Sequence, residues 1–497
     1  MRLASSSRRL LILALTLPLV IVICRDRSLW LDEAMLGYNI VARSYSQLLQ
    51  PLSYGQVAPI GYVLLSKACN TLFGYNDLAI RLPSIVAYLC LFVLLAHRAN
   101  RSPQALFRFV LIAGAAGVIK YAFELKPYIY DVLFMVVVLT YGSVIFATTW
   151  LAMLFSSAAV LFSNATFMQL PLFAVLYGLK QAKSPAASLL RVAAALLPLG
   201  VYYVLFVHHH PTADTMRQLW SRHFLFATPE TGLAFVARRL IGIIHAGYFT
   251  PAFLLLWIPY VIGLRWYVRQ RMYRTLAATQ LPIIVHLAFS AARLYPFDGG
   301  RLTLYLIVPI AYVAADGLRL ALAWLQGMAW RGRSAVLRRN AGGLAAALVV
   351  LAVTGNAFAY ALLVKNREDI RPIFAELQRQ PWSYKQTVPV HFLPSSGAQF
   401  AYYEAQSHSR GEVFLDDYRR IRHDDDWEPF LLDALANRRV VLVYSHSGWY
   451  FGGPKTRRGF LTAVDHTLVD LAPLTRHGLR VTRLMWANNA GLFQVEQ

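Results

Sequence analysis

Hydrophobic and polar positions divide the chain into two stretches. Up to residue 365, long apolar runs alternate with short polar connections, and a bilayer core requires a helix of about 20 apolar residues. The runs predict about eleven spans, at 8–25, 81–98, 105–122, 128–147, 149–163, 165–181, 189–208, 240–263, 276–292, 302–321 and 342–364. The first run follows Arg8 and Arg9 as a secretory signal would. No small-residue cleavage site follows it, however, and Val22 and Ile23 before Cys24 are too bulky for a lipoprotein signal, so it reads as an uncleaved span. The loop 26–80 has an amphipathic pattern that continues to Leu49. From 366 onward, β-rich runs at Val388–Leu393, Arg439–Ser445 and Arg480–Trp486 alternate with helical patterns at Asp369–Arg379, Trp427–Asn437 and Lys455–Leu471, and Asn488–Gly491 offers a hairpin turn into Leu492–Val495. The pattern therefore predicts a polytopic α-helical membrane domain, residues 1–365, followed by a small α/β domain, residues 366–497.

Composition supports this division. The chain is 57% hydrophobic and only 15% charged, with mean hydropathy +0.45, whereas soluble domains carry about 25% charged residues. A net charge of +23 would suggest nucleic acid if the cations shared one wet surface. They do not, for residues 366–497 hold 16 Lys+Arg against 15 Asp+Glu, and the excess lies in the membrane part. With a cytoplasmic N-terminus, 18 cations, from Arg2 through Arg98, Arg108, Lys180, Arg265 and Arg274 to Arg339, fall in segments facing the cytoplasm. Asp316 is the only acid among those segments; the other nine acids before residue 366 fall on the opposite side. This is the positive-inside pattern, and an odd number of spans places the α/β domain outside the cytoplasm. The partner is thus the lipid bilayer, in a multi-pass inner-membrane protein, rather than nucleic acid. Cys24, Cys69 and Cys90 have no metal-ligand spacing.

Three polar clusters fall on the outer side, where carboxylates near hydrocarbon are costly unless paired or wet. The first loop reads Trp30-Leu-Asp32-Glu33-Ala34, and neighbouring carboxylates on a helix point about 100° apart, so the two acids serve different partners. The competing reading is a helix N-cap at Asp32. The turn after the third span reads Glu124-Leu-Lys126-Pro127-Tyr128-Ile-Tyr130-Asp131. Pro127 suits the first helical position there, placing Asp131 one turn into the span; a plain Glu124–Lys126 ion pair is the alternative. The turn after the ninth span reads Tyr295-Pro296-Phe297-Asp298-Gly299-Gly300-Arg301. Its glycines permit close backbone approach to a ligand, and its arginine suits bidentate grip of a phosphate. Carboxylates for a base, cations for phosphate and aromatics for a sugar ring on one face make a coherent site.

These residues, with Ala58-Pro59-Ile-Gly61-Tyr62 and Phe73-Gly74 through Arg81-Leu-Pro83, resemble the GT-C fold glycosyltransferases, specifically bacterial relatives of the protein O-mannosyltransferase and lipid A aminoarabinose transferase families. The resemblance implies sugar transfer from a polyprenyl-phosphate donor to a cell-envelope glycan, lipid or protein acceptor at the outer face of the cytoplasmic membrane. It implies Asp32 as the catalytic carboxylate, Glu33 beside it holding the acceptor or supporting the site, and Glu124 or Asp131 as a second functional acid near Tyr128 and Tyr295. Lys126 and Arg301 would hold the donor phosphate. Some relatives contain a divalent cation, for which Asp32, Glu124 or Asp131 are the available ligands.

Two other functions fit many spans. A transporter needs ionisable or helix-breaking residues near mid-membrane and often repeated halves, and neither is evident. A polysaccharide polymerase or ligase would share the outer-face site and the lipid-linked donor. His208-His209-His210 diverge too much to share one ion, Asp424-Asp425-Asp426 reads as a solvated helix cap, and Tyr444-Ser445-His446-Ser447-Gly448 lacks nucleophile-elbow spacing.

Overall fold

The computed structural model describes residues 5–99, 101–179, 184–208, 210–211, 213–227, 229–328, 335–363, 369–392, 394–418, 421–423, 432, 435–436, 438–445, 478–487 and 490–497. Asp424–Asp426, His209 and His446–Gly448, together with the Lys180, Lys183, Arg331 and Arg333 cations, lie outside the described residues.

In chain order the helices are α1 (Ser5–Cys24), α2 (Leu31–Ala42), α3 (Ile60–Leu72), α4 (Leu82–Ala99), α5 (Pro103–Ala113), α6 (Ala116–Ala122) and α7 (Tyr128–Ile145). They continue with α8 (Thr149–Phe162), α9 (Ala165–Gly178), α10 (Pro185–Tyr202), α11 (Ala213–Leu219), α12 (Gly232–Tyr248), α13 (Trp257–Arg269), α14 (Tyr273–Ala291), α15 (Ile307–Met328) and α16 (Ala335–Leu363). Then α17 (Arg371–Arg379), α18 (Trp382–Thr387), β1 (Val390–Phe392), α19 (Pro394–Ser409), β2 (Ile421–His423), β3 (Arg439–Ser445), β4 (Arg480–Ala487) and β5 (Ala490–Glu496) complete the chain. They form two compact units. One comprises Met1–Cys24, Val57–Val63 and Leu82–Val364; the other comprises Arg25–Gln56, Leu64–Arg81 and Lys365–Gln497. Most of the first polar loop therefore groups with the C-terminal α/β segment.

In the helical unit, six described helices are long and apolar enough to cross a membrane, or seven if the bent pair α5–α6 is one span. Three shorter apolar helices, Leu10–Cys24, Thr149–Phe162 and Ala165–Gly178, and α14 occupy other predicted spans. Two predictions need correction. The run 105–122 bends by 56° between α5 and α6, because Gly114 leaves the helix and Ala115 is extended. A side chain on Gly114 would meet Val353 Cγ1 at 2.6 Å. The run 240–263 is two helices rather than one span: Phe249 is left-handed at φ 53°, Thr250 is extended and Pro251 opens a short 3-10 turn. Proline disfavours helix in the residue before it, and the apolar helix that results covers Pro251–Arg269 instead. Helices α13 and α15 pack so closely that a Cβ on Gly317 would lie 1.7 Å from the Pro259 carbonyl oxygen, the small-residue contact common between membrane helices. Asp316 is buried there, accepting from Arg108 Nη2 at 2.9 Å and the Tyr267 hydroxyl at 2.5 Å.

The second unit has a five-stranded sheet in the order β2-β1-β3-β5-β4. β1 is parallel to β2 and β3, whereas β5 is antiparallel to β3 and β4. The hairpin predicted before Leu492 is the β4–β5 pair, Ala487 opposite Ala490, while Asn488 and Asn489 lie outside the described residues. The helical patterns at Trp427–Asn437 and Lys455–Leu471 lie largely or wholly outside them. Phe374, Phe392, Phe400 and Phe414 form an aromatic core. Sequence patterning missed α19. It packs on α2, and Gly37 makes room for it: a Cβ there would lie 2.9 Å from the Tyr402 ring.

Candidate active site

The second unit carries Asp32 and Glu33. Trp30, extended at ψ 165°, occupies the cap of α2 and no side chain caps the helix, so Asp32 lies in the first turn and the N-cap reading is set aside. The two acids meet different surroundings, as their angular separation predicts. Asp32 is half-buried, whereas Glu33 is fully buried. Arg81 Nε and Nη2 donate to Glu33 Oε1 and Oε2, each at 2.9 Å. Arg81 also donates to the Arg27 and Ser28 carbonyls at 3.0 and 3.3 Å, and Arg27 Nη2 stands 3.3 Å from Glu33. The guanidinium thereby fixes the strand of chain that delivers Asp32.

Further partners hold that segment from the C-terminal side. Gln399 Nε2 donates to the Leu29 carbonyl at 3.0 Å, and the Leu29 amide donates to the Tyr403 hydroxyl at 3.0 Å. Tyr402 and Tyr403 donate to the two oxygens of buried Asp77 at 2.9 and 2.8 Å. Burial raises the Asp77 carboxyl above its ordinary range; Arg81, Arg371 and the two hydroxyls oppose the shift without cancelling it.

The helical unit carries the other predicted residues. Pro127 caps α7 at its first residue, Tyr128. Glu124, Lys126 and Asp131 are all buried. Glu124 pairs with Lys120 at 3.9 Å, and the Lys126 amide donates to the Glu124 carbonyl at 2.8 Å. Ser84 Oγ, bonded to the Tyr62 hydroxyl, donates to the Lys126 carbonyl at 3.2 Å, and the Tyr130 hydroxyl donates to the Pro83 carbonyl. Asp131 Oδ1 accepts from Ser163 Oγ at 2.5 Å and the Ala165 amide at 3.1 Å.

At the third cluster, Arg301 is half-buried and lies over the Trp220 ring at 5.2 Å. Asp298 accepts from the Gly300 and Leu302 amides and the Thr303 hydroxyl, capping the 3-10 turn that Arg301 opens. Gly299 sits at φ +68°, where a Cβ would approach the Arg239 carbonyl oxygen to 2.8 Å, so glycine at this position lets the turn pack closely on α12. That contact brings in residues the sequence did not suggest. Arg239 donates to the Asp298 carbonyl at 2.9 Å, and the Phe297 amide donates to the His223 carbonyl at 2.9 Å. Burial lowers the His223 imidazole pKa, and Arg239, Arg301 and Arg238 push it the same way. Arg238-Arg239 and His223 are far from Arg301 in sequence, and only the packing of α12 on the turn unites them.

No family model matches the sequence, and no curated protein matches it. Comparison of folds finds crystal structures of ArnT from Cupriavidus metallidurans. The apo state aligns at TM-score 0.54 and 15% identity, and the form bound to undecaprenyl phosphate at 0.53 and 13%, each over 99% of this chain and 98% of that one. The chain has the fold of ArnT. The GT-C architecture expected from the residues is thus present, and the ArnT likeness extends through the C-terminal α/β segment. The predicted divalent cation finds no ready donor set, since among the described residues no three His, Cys, Asp or Glu side chains group to hold a metal.

Proposed function

We propose that the chain is an integral membrane glycosyltransferase that moves a sugar from a polyprenyl-phosphate donor to an acceptor at the outer face of the cytoplasmic membrane. The observation that carries this reading is the ArnT fold along nearly the whole chain, one ArnT structure holding undecaprenyl phosphate. The N-terminus is cytoplasmic, and the α/β domain and the site face outward, a reading supported by the sorting of cations and acids along the sequence.

The chemistry follows from the donor. A sugar on a phosphate already has a fair leaving group, so the enzyme must deprotonate or orient an acceptor hydroxyl, stabilise an oxocarbenium-like centre and neutralise the departing phosphate. Asp32, half-buried beside a locked neighbour, serves as the base. Glu33 is a positioning residue acting through Arg81. Arg301 and Lys126 meet the phosphate, and Arg239 and His223 shape the cationic setting of Arg301. Tyr128 and Tyr295 supply aromatic surface for the sugar, and Glu124 or Asp131 is the second functional acid.

A single carboxylate acting in direct displacement inverts the anomeric carbon, whereas retention requires a positioned nucleophile as well. The test is incubation of the full chain in membranes with radiolabelled polyprenyl-phosphate monosaccharides. Transfer with inversion is expected. Retained configuration would reject single displacement, and release from none of the donors would reject the transferase reading.

A further inference from the structure

His286 lies on α14 and is fully buried. Its Nδ1 stands 2.8 Å from the Tyr305 hydroxyl and its Nε2 stands 2.9 Å from the Pro296 carbonyl oxygen. One imidazole thereby joins Pro296 to Tyr305, and the chain between those two points carries Asp298, Gly299, Gly300 and Arg301. The rings of Tyr295 and Phe297, on either side of Pro296, meet the imidazole edge-on at 5.3 and 5.0 Å, and the Tyr305 ring lies nearly parallel to it.

The bonds have a direction. A carbonyl can only accept, so Nε2 carries a hydrogen, and Nδ1 of the neutral ring is left to accept from the Tyr305 hydroxyl. The hydroxyl oxygen accepts in turn from Gln169 Nε2 at 2.8 Å, and the same amide donates to the Pro282 carbonyl at 3.2 Å. The relay thus runs from α9 through the 3-10 turn Arg301–Leu306 to Pro296. Tyr305 and Gln169 are 1% and 2% exposed, so a bond lost here is not replaced by one to bulk water. Between the two anchored points Asp298 holds the Gly300 and Leu302 amides. The backbone that delivers Arg301 is therefore fixed at both ends and in the middle, and the fixing at both ends falls to one side chain that the transfer chemistry itself does not use.

We propose that His286 is a positioning residue for donor binding, which acts through Pro296 and Tyr305 to set where the Arg301 guanidinium meets the donor phosphate. The proposal rests on the reading of Arg301 as a phosphate ligand in a sugar transferase. Its test is steady-state transfer by the full chain in membranes with the lipid-linked donor varied. His286→Phe keeps an aromatic ring and loses both bonds, and it is expected to raise the donor KM about fivefold with kcat little changed. Tyr305→Phe, which loses one bond, should move KM the same way by less. Both effects should vanish in the Arg301→Ala background, because residues that act through one group are not additive. Tyr88→Phe removes another buried hydroxyl of the same unit, bonded to the Ala113 carbonyl at 2.8 Å, and should leave the donor KM unchanged. Should His286→Phe fail to fold, Tyr305→Phe alone and with Arg301→Ala carries the test. Nitrogen NMR of the histidine-labelled wild type should show an imidazole protonated at Nε2 whose Nδ1 signal shifts in Tyr305→Phe. A wild type that transfers sugar while both variants keep its donor KM, a KM rise that persists in full without Arg301, or an equal rise in Tyr88→Phe would overturn the positioning role and leave the transferase reading standing. A wild type that releases sugar from none of the donors would reject that reading and the positioning role with it.

Discussion

Arg81 grips both carboxylate oxygens of Glu33, at 2.9 Å each, with both side chains fully buried. Such a fork is geometrically specific, and removing one partner strands a desolvated charge. Arg81→Ala and Glu33→Gln are each expected to destabilise the protein by about 3–5 kcal/mol. Arg81→Lys should recover only part of this, because an ammonium cannot reproduce the two parallel bonds. Thermal unfolding of the three variants checks the expectation, and a wild-type midpoint for Arg81→Ala would refute it.

Asp77 gives the second unit a pH dependence of defined sign. Its carboxyl is raised by burial, so the folded chain holds that proton more tightly than the unfolded chain does. The ionised form therefore costs stability at neutral pH, and the cost falls as pH drops through the raised value towards the ordinary aspartate range. The stability of the wild type relative to Asp77→Asn should rise as the pH falls from 7 towards the ordinary aspartate range near about 4. A difference that stays constant, or that moves the other way, contradicts the burial-dominated shift.

Arg301 is half-buried and rests on Trp220, so its removal should be felt in donor binding more than in folding. Arg301→Ala is expected to raise the KM for the lipid-linked donor by about tenfold or more, the scale of a hydrogen bond to a charged group, with an unchanged unfolding midpoint. Arg301→Lys should recover part of the affinity. Steady-state kinetics with varied donor provide the measurement, and an unchanged KM in Arg301→Ala would remove the residue from the phosphate site.

The helical framework was legible because apolar length is a local property that a run of residues carries by itself. Local breaks were less so. Averaging over 240–263 hid the left-handed Phe249 before Thr250 and Pro251, and averaging over 105–122 hid the turn at Gly114. The helix α19 escaped because Pro394-Ser-Ser-Gly reads as a turn, while its reason for being helical is the face it lays on α2. The site followed the same rule. Asp32, Glu33, Lys126 and Arg301 stand out within short segments. Arg81 as the partner of Glu33, and Arg239 and His223 beside the Arg301 turn, are joined only by tertiary packing.

The distinction between Asp32 and its locked neighbour leads to the most direct measurement. The full chain in membranes is incubated with the radiolabelled lipid-linked sugar it accepts, and the wild type is compared with Asp32→Asn. Loss of a general base predicts a fall in transfer of about 10²–10⁴-fold, with the unfolding midpoint unchanged because Asp32 is only half-buried. Transfer that survives the substitution undiminished would contradict the assignment of Asp32 as the catalytic carboxylate.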